Sequence, residues 1–167
     1  MKRSTTSPVF LAVLALAALF VWQTSRPLPA VIATHFGIGG EANGYMTHVV
    51  YVRFMLGFVV LLPWLVNLAM ERILSSPRAS INLPNRDHWL SESQRAATIE
   101  YLLRHMRNFG MMLAAFLCCV HWLVVRANAA VPPTLDNTRF SIALGAYLLV
   151  IVLWIVALRR RFRRPLA

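Results

Sequence analysis

The stretch from Phe140 to Leu158 reads FSIALGAYLLVIVLWIVAL and contains no charged residue. A helix needs about 20 mostly apolar residues to cross the hydrocarbon core. Only helices and closed barrels satisfy their own backbone polar groups in lipid. The stretch is therefore predicted to be a transmembrane helix. Three others follow the same logic: Pro8 to Trp22, Val49 to Met70 and Phe109 to Val125. With 58% apolar residues and a mean hydropathy of +0.59, the 167-residue chain is predicted to be an all-α, four-helix transmembrane bundle. The shortest stretch also has signal-peptide features, with Lys2 and Arg3 ahead of the apolar run Val9 to Val21. Ala15 and Ala17 lie inside that run, however, and Gln23-Thr24-Ser25-Arg26-Pro27 makes a poor cleavage site. An uncleaved first helix is expected.

The net charge of +11 is distributed in blocks. Lys2 and Arg3 precede the first span. Arg72, Arg78, Arg86, Arg95, Arg104 and Arg107 lie between the second and third, and Arg159, Arg160, Arg161, Arg163 and Arg164 follow the fourth. Only Arg26, Arg53, Arg126 and Arg139 fall on the other side. Excess Lys and Arg in short loops mark the cytoplasmic face, so both termini are expected inside. The basicity is thus a topology signal, and no nucleic-acid-binding motif accompanies it. The Arg-rich tail is placed to touch anionic headgroups, at about 1 kcal/mol per basic residue. Trp22 and Trp122 at the outer ends, with Trp64 and Trp154 near the inner ends, suit the headgroup boundaries.

The chain divides into residues 1–70, two helices plus an outer loop; residues 71–108, a cytoplasmic segment; and residues 109–167, a helical hairpin with a basic tail. In the cytoplasmic segment, Ser91-Glu92-Ser93-Gln94 has the pattern of a helix capping box. Ile99, Leu102, Leu103 and Met106 then repeat at helical spacing. An amphipathic helix is predicted, either lying at the inner surface or continuing into the third span. Small residues, Ala114-Ala115 and Gly145-Ala146, are expected at the helix contacts. Cys118 and Cys119 are adjacent on a helix and poorly placed to pair.

The residues best suited to recognition lie in the outer loop. Asn43-Gly44 and Gly39-Gly40 are turn signals, expected to fold His35 and Phe36 back toward Tyr45. An imidazole held there either pins the loop or contacts a ligand. His35, Glu41 and His48 are possible metal ligands, but their spacing matches no zinc pattern, so neither metal nor cofactor is expected. His88 and His105 are expected to be solvated, and His121, beside Trp122, to be a polar residue at the outer boundary. A second patch, Asn85, Arg86, Asp87 and Trp89, fits a membrane-surface anchor or a partner-docking site. No Asp or Glu falls within any span, and neither a phosphate loop nor a nucleophile elbow is present, which argues against an enzyme. Pro63, Asn67 and His121 leave open a small permease or lipid-handling protein.

The loop Leu28 to His48 resembles an uncharacterised domain found at the N-terminus of SdpI-like bacterial membrane proteins, which confer immunity to a sporulation-delaying toxin. The pattern is L-P-x-x-I-P-x-H-F-N-x-x-G-x-P-D-G-[WY]-x-x-K between two helices. Leu28, Pro29, His35, Phe36, Gly40, Gly44 and Tyr45 fit it. Ala33, Gly37, Ala42, Asn43 and His48 replace its Pro, Asn, Pro, Asp and Lys. The resemblance runs from about Pro8 to Met70. It implies a non-enzymatic protein of the bacterial cytoplasmic (inner) membrane. Its loop residues His35, Phe36, Gly40, Asn43, Gly44 and Tyr45 would meet a peptide, toxin or envelope component in an immunity or signalling role.

Overall fold

A computed structural model describes residues 7–76 and 81–163. Lys2, Arg3, Arg78 and Arg164, which enter the charge argument, lie outside the described residues. The elements are α1 (Pro8–Ser25), β1 (Val31–Phe36), β2 (Ala42–Thr47), α2 (His48–Ser75), α3 (Arg86–Trp89), α4 (Arg95–Asn128) and α5 (Asn137–Arg163). α1, α2, α4 and α5 are each long and apolar enough to cross a membrane, the signature of a multi-pass membrane protein. The expectation of an all-α chain is corrected by the antiparallel hairpin β1–β2. Its strands, VIATHF and ANGYMT, show no clean apolar–polar alternation, and the second carries Gly44, so nothing announces them.

α1, α2 and α4 form the bundle core. Near the hairpin, Ala17, Val21, Ile32, Tyr51, Val52, Met55, Val59 and Leu117 pack together. Further along, Phe10 and Leu14 pack on Ala114. The close approach of α4 is made by Gly110 and Ala114, one turn apart. A Cβ on Gly110 would overlap the Asn67 amide and lie 2.9 Å from Phe10 Cε2. Small residues thus let helix backbones approach, as expected in lipid, but at Gly110 and Ala114. Ala115 is exposed, as are Gly145 and Ala146, and nothing lies within 4 Å of a Cβ placed on Gly145.

α4 is one helix from Arg95 to Asn128, so the amphipathic segment continues into the third span. The capping box does not form. The Ser91 hydroxyl donates back to the His88 carbonyl at 2.8 Å, while backbone bonds from Arg95 and Thr98 to Ser91 and Gln94 start the helix. α5 leans on α4 through stacked rings, Phe116 on Tyr147 at 4.1 Å and His105 on Trp154 at 4.2 Å. His105, expected to be solvated, is instead held between Tyr101 and Trp154. The rest of α5 presents Ile142, Leu148, Leu149, Val152 and Leu153 outward, as a lipid-facing helix does.

At the end away from the hairpin, Leu74, Ile81, Trp89, Leu102 and Phe162 form a third cluster. Trp89 is 2% exposed, so it is a core residue rather than one lying in the headgroups. Its Nε1–H donates to the Phe162 carbonyl at 3.0 Å, and Asn85 Nδ2–H donates to the Phe162 and Arg163 carbonyls at 3.2 Å. The last carbonyls of α5, which lack helical partners, are satisfied this way. Asn85 reaches them from a left-handed backbone with φ of 53°. Arg86 and Asp87 are exposed on the same short turn.

Candidate functional site

The hairpin caps one end of the bundle and is tied down at three places. At its base, the Asn128 side chain at the end of α4 acts as the edge of a third strand. Its Oδ1 accepts from the Ala33 N–H at 2.8 Å, and its Nδ2 donates to the Ala33 carbonyl at 2.9 Å. Ile32 and Ala33 are buried beneath it. At the crossover into α2, His48 Nε2–H donates to the Ser25 carbonyl at 2.9 Å. At the tip, the backbone N–H of Leu135 donates to the Gly40 carbonyl at 2.8 Å, and the Asn137 amide donates to the Ile38 carbonyl. Gly40 has φ of +86°, and a Cβ there would overlap the Leu135 carbonyl oxygen. Only glycine suits both demands.

The expected turn at Asn43-Gly44 lies instead within β2. The chain reverses over Gly37 to Glu41, closed by Gly37 N–H to Glu41 O at 2.8 Å and Gly40 N–H to Gly37 O at 3.0 Å. Gly44 is opposite His35, at an irregular register, and a Cβ placed on it would lie 2.8 Å from the His35 Cβ. His35 Nδ1–H donates to Asn43 Oδ1, so the ring is fixed with Nε2 free to meet another group. His35, Asn43 and Tyr45 are exposed, and the Tyr45 hydroxyl donates to the Ala42 carbonyl at 3.4 Å. Of the predicted loop residues, the structure brings His35, Asn43 and Gly44 together. Gly40 serves the tip, and Phe36 turns toward the helices.

Phe36 lines an open groove of about 380 Å³ between β1, α4 and the start of α5. Its walls are Phe36, Ile38, Val120, Leu123, Val124, Leu135 and Phe140, with Thr34, His35 and Asn137 supplying polar groups. A largely apolar concavity with a few polar groups is the usual form of a ligand site. His48, bonded to Ser25, is not joined with His35 and Glu41. Among the described residues, no group of three His, Cys, Asp or Glu is placed to hold a metal.

Beneath the hairpin lies a residue that the sequence placed wrongly. His121 is 0% exposed and sits between α1, α2 and α4. The Thr24 hydroxyl donates to the Phe20 carbonyl at 2.7 Å, so its oxygen is free to accept from His121 Nε2–H at 2.8 Å. The other nitrogen, Nδ1, then accepts the Tyr51 hydroxyl at 2.8 Å. One neutral tautomer satisfies every member, and the ring also stacks on Tyr51 at 5.7 Å. A polar residue beside Trp122 has the same sequence signature whether it faces headgroups or the bundle interior.

The matched segment now has a definite structural meaning. Residues 9–65 match a domain of unknown function, DUF1648. The DUF1648 match covers about a third of the chain: nearly all of α1, the whole hairpin and more than half of α2. It therefore includes Thr24, Tyr51 and every strand residue, but neither His121 nor Asn128, which come from α4. No curated protein and no solved structure matches the chain.

Pro63, Asn67 and His121 do not share a cavity. Asn67 Nδ2–H donates to the Pro63 carbonyl at 2.8 Å and lines a space of about 30 Å³ near Glu71 and Arg107. His121 is enclosed nearer the hairpin.

Proposed function

We propose that the chain is a non-enzymatic membrane protein that recognises an apolar peptide segment at its hairpin end, on the outer side of the bacterial cytoplasmic membrane. The observation that carries this is the groove beside β1. It is concave and mostly apolar, and it is rimmed by His35 and Asn137, side chains already oriented by neighbouring hydrogen bonds. Such pre-organisation lowers the ordering cost of binding. The asymmetric arginines support an outward-facing hairpin. The resemblance to SdpI-like proteins supports a peptide toxin or envelope component as the occupant and immunity or signalling as the setting. A permease reading gains less support, because Asn67 lines a space of about 30 Å³ that buried His121 does not share.

The test is photo-crosslinking in living cells, with a benzophenone side chain at Ile38 or Phe140 and, as control, at Leu148, an exposed residue of α5 outside the groove. A discrete peptide or protein adduct is expected from the two groove positions and not from Leu148. Phe36→Ala should weaken it about tenfold or more, because burying an aromatic ring is worth about 1.5–3 kcal/mol. Equal adducts from Leu148, or groove adducts unchanged by Phe36→Ala, would reject the site.

A further inference from the structure

We propose that the basic end of α5 carries a binding site for one anionic phospholipid, with its phosphate between Arg159 and Arg163 and an acyl chain along Ile155 and Leu158. Residues 155, 158, 159, 162 and 163 recur at helical spacing and form one stripe of α5. That stripe faces Leu83 and Pro84 across an open groove of about 440 Å³. The floor is apolar; among the described residues no carboxylate lines it, and Arg159 and Arg163 are its only charged groups. Neither arginine has an ion-pair partner among the described residues. Arg161, by contrast, is committed elsewhere, with its guanidinium 4.5 Å above the Trp89 ring.

One feature suits a lipid rather than a soluble anion, and a second suits an anion of either kind. The stripe spans about 12 Å along the helix axis, from Ile155 inside the apolar stretch to Arg163 beyond its end. It therefore offers apolar wall and cationic rim at the depths where a phospholipid has chain and phosphate. Second, the carbonyls that give a helix C-terminus its negative partial charge are occupied here. Phe162 O accepts from Trp89 and Asn85, and Arg163 O accepts from Asn85. The local field is thus left to the guanidinium groups of this end, and those of Arg159 and Arg163, whose planar donors match a phosphate, line the groove.

The full chain, purified in mild detergent, would be incubated with equal phosphatidylglycerol and phosphatidylcholine and examined by native mass spectrometry. One phosphatidylglycerol should be retained about tenfold over phosphatidylcholine. Arg159→Gln/Arg163→Gln should abolish the preference, whereas Arg139→Gln, at the hairpin end, should leave it intact. Excess inorganic phosphate should displace the lipid no better than chloride at matched ionic strength. Because all three arginines are exposed, folding is not at stake. Preference persisting in the double variant, equal retention of phosphatidylcholine, or selective displacement by phosphate would each overturn the assignment.

Discussion

Replacing His121 by Ala is expected to destabilise the bundle by about 2–4 kcal/mol, combining a core cavity with unpaired polar groups. The ring is wholly buried and joins three helices through Tyr51 and Thr24. Its removal takes the acceptor from the buried Tyr51 hydroxyl. Tyr51→Phe alone removes one interhelical bond and should cost about 1 kcal/mol. His121→Leu fills much of the volume but leaves Tyr51 unpaired. Adding Tyr51→Phe to it should therefore cost less than the sum of the two single changes. Reversible unfolding in mixed micelles, followed by tryptophan fluorescence, measures each corner of this cycle. Additive effects would show that the histidine and tyrosine do not act as a pair.

Trp89→Ala should release the basic end of α5. Trp89 is the hub of the cluster at that end: its ring meets Phe162 edge-on at 5.4 Å, its N–H caps the Phe162 carbonyl, and Arg161 covers its face. Truncating such a core aromatic costs about 3–5 kcal/mol. α5 is otherwise held chiefly by ring contacts with α4, so the loss should appear locally. Trypsin cleavage after Arg159 to Arg161 should accelerate about tenfold or more in detergent, since a local opening free energy falls by over 1.4 kcal/mol. Trp89→Phe keeps the packing and loses the hydrogen bond, for about 1 kcal/mol. An unchanged digestion rate for Trp89→Ala would refute the clasp.

The four long helices were legible because lipid imposes a length and composition that few other segments share. The predicted stretches all lie within observed helices, which run several residues further where flanking polar residues complete the last turns. Which face of each helix turns inward was not legible. A stretch apolar on every side carries no periodic contrast between lipid and protein, so His121 was assigned to a boundary when it lies inside; Trp89, in a short polar segment, is buried by Phe162, 73 residues away in sequence. The hairpin was hidden for another reason. Of the two turn signals, Asn43-Gly44 is the stronger dipeptide, but the docking of Gly40 against Leu135 and of Ala33 against Asn128 sets the reversal at the other, Gly39-Gly40. Those partners lie some 95 residues away in sequence, beyond the reach of local pattern. His35 and Phe36 lie on β1 of an ordered hairpin, yet only the packing of α4 and α5 creates the groove that Phe36 lines.

The central claim is that the chain threads a bilayer four times with its hairpin outside and its arginine-rich end in the cytosol. Cysteine labelling in intact cells tests it most directly, with Cys118 and Cys119 replaced by Ser. Ile38→Cys at the exposed hairpin tip should react at once with a membrane-impermeant maleimide, and Glu92→Cys, exposed ahead of α4, only after the membrane is opened. Labelling of Glu92→Cys in sealed cells with Ile38→Cys protected would contradict the account.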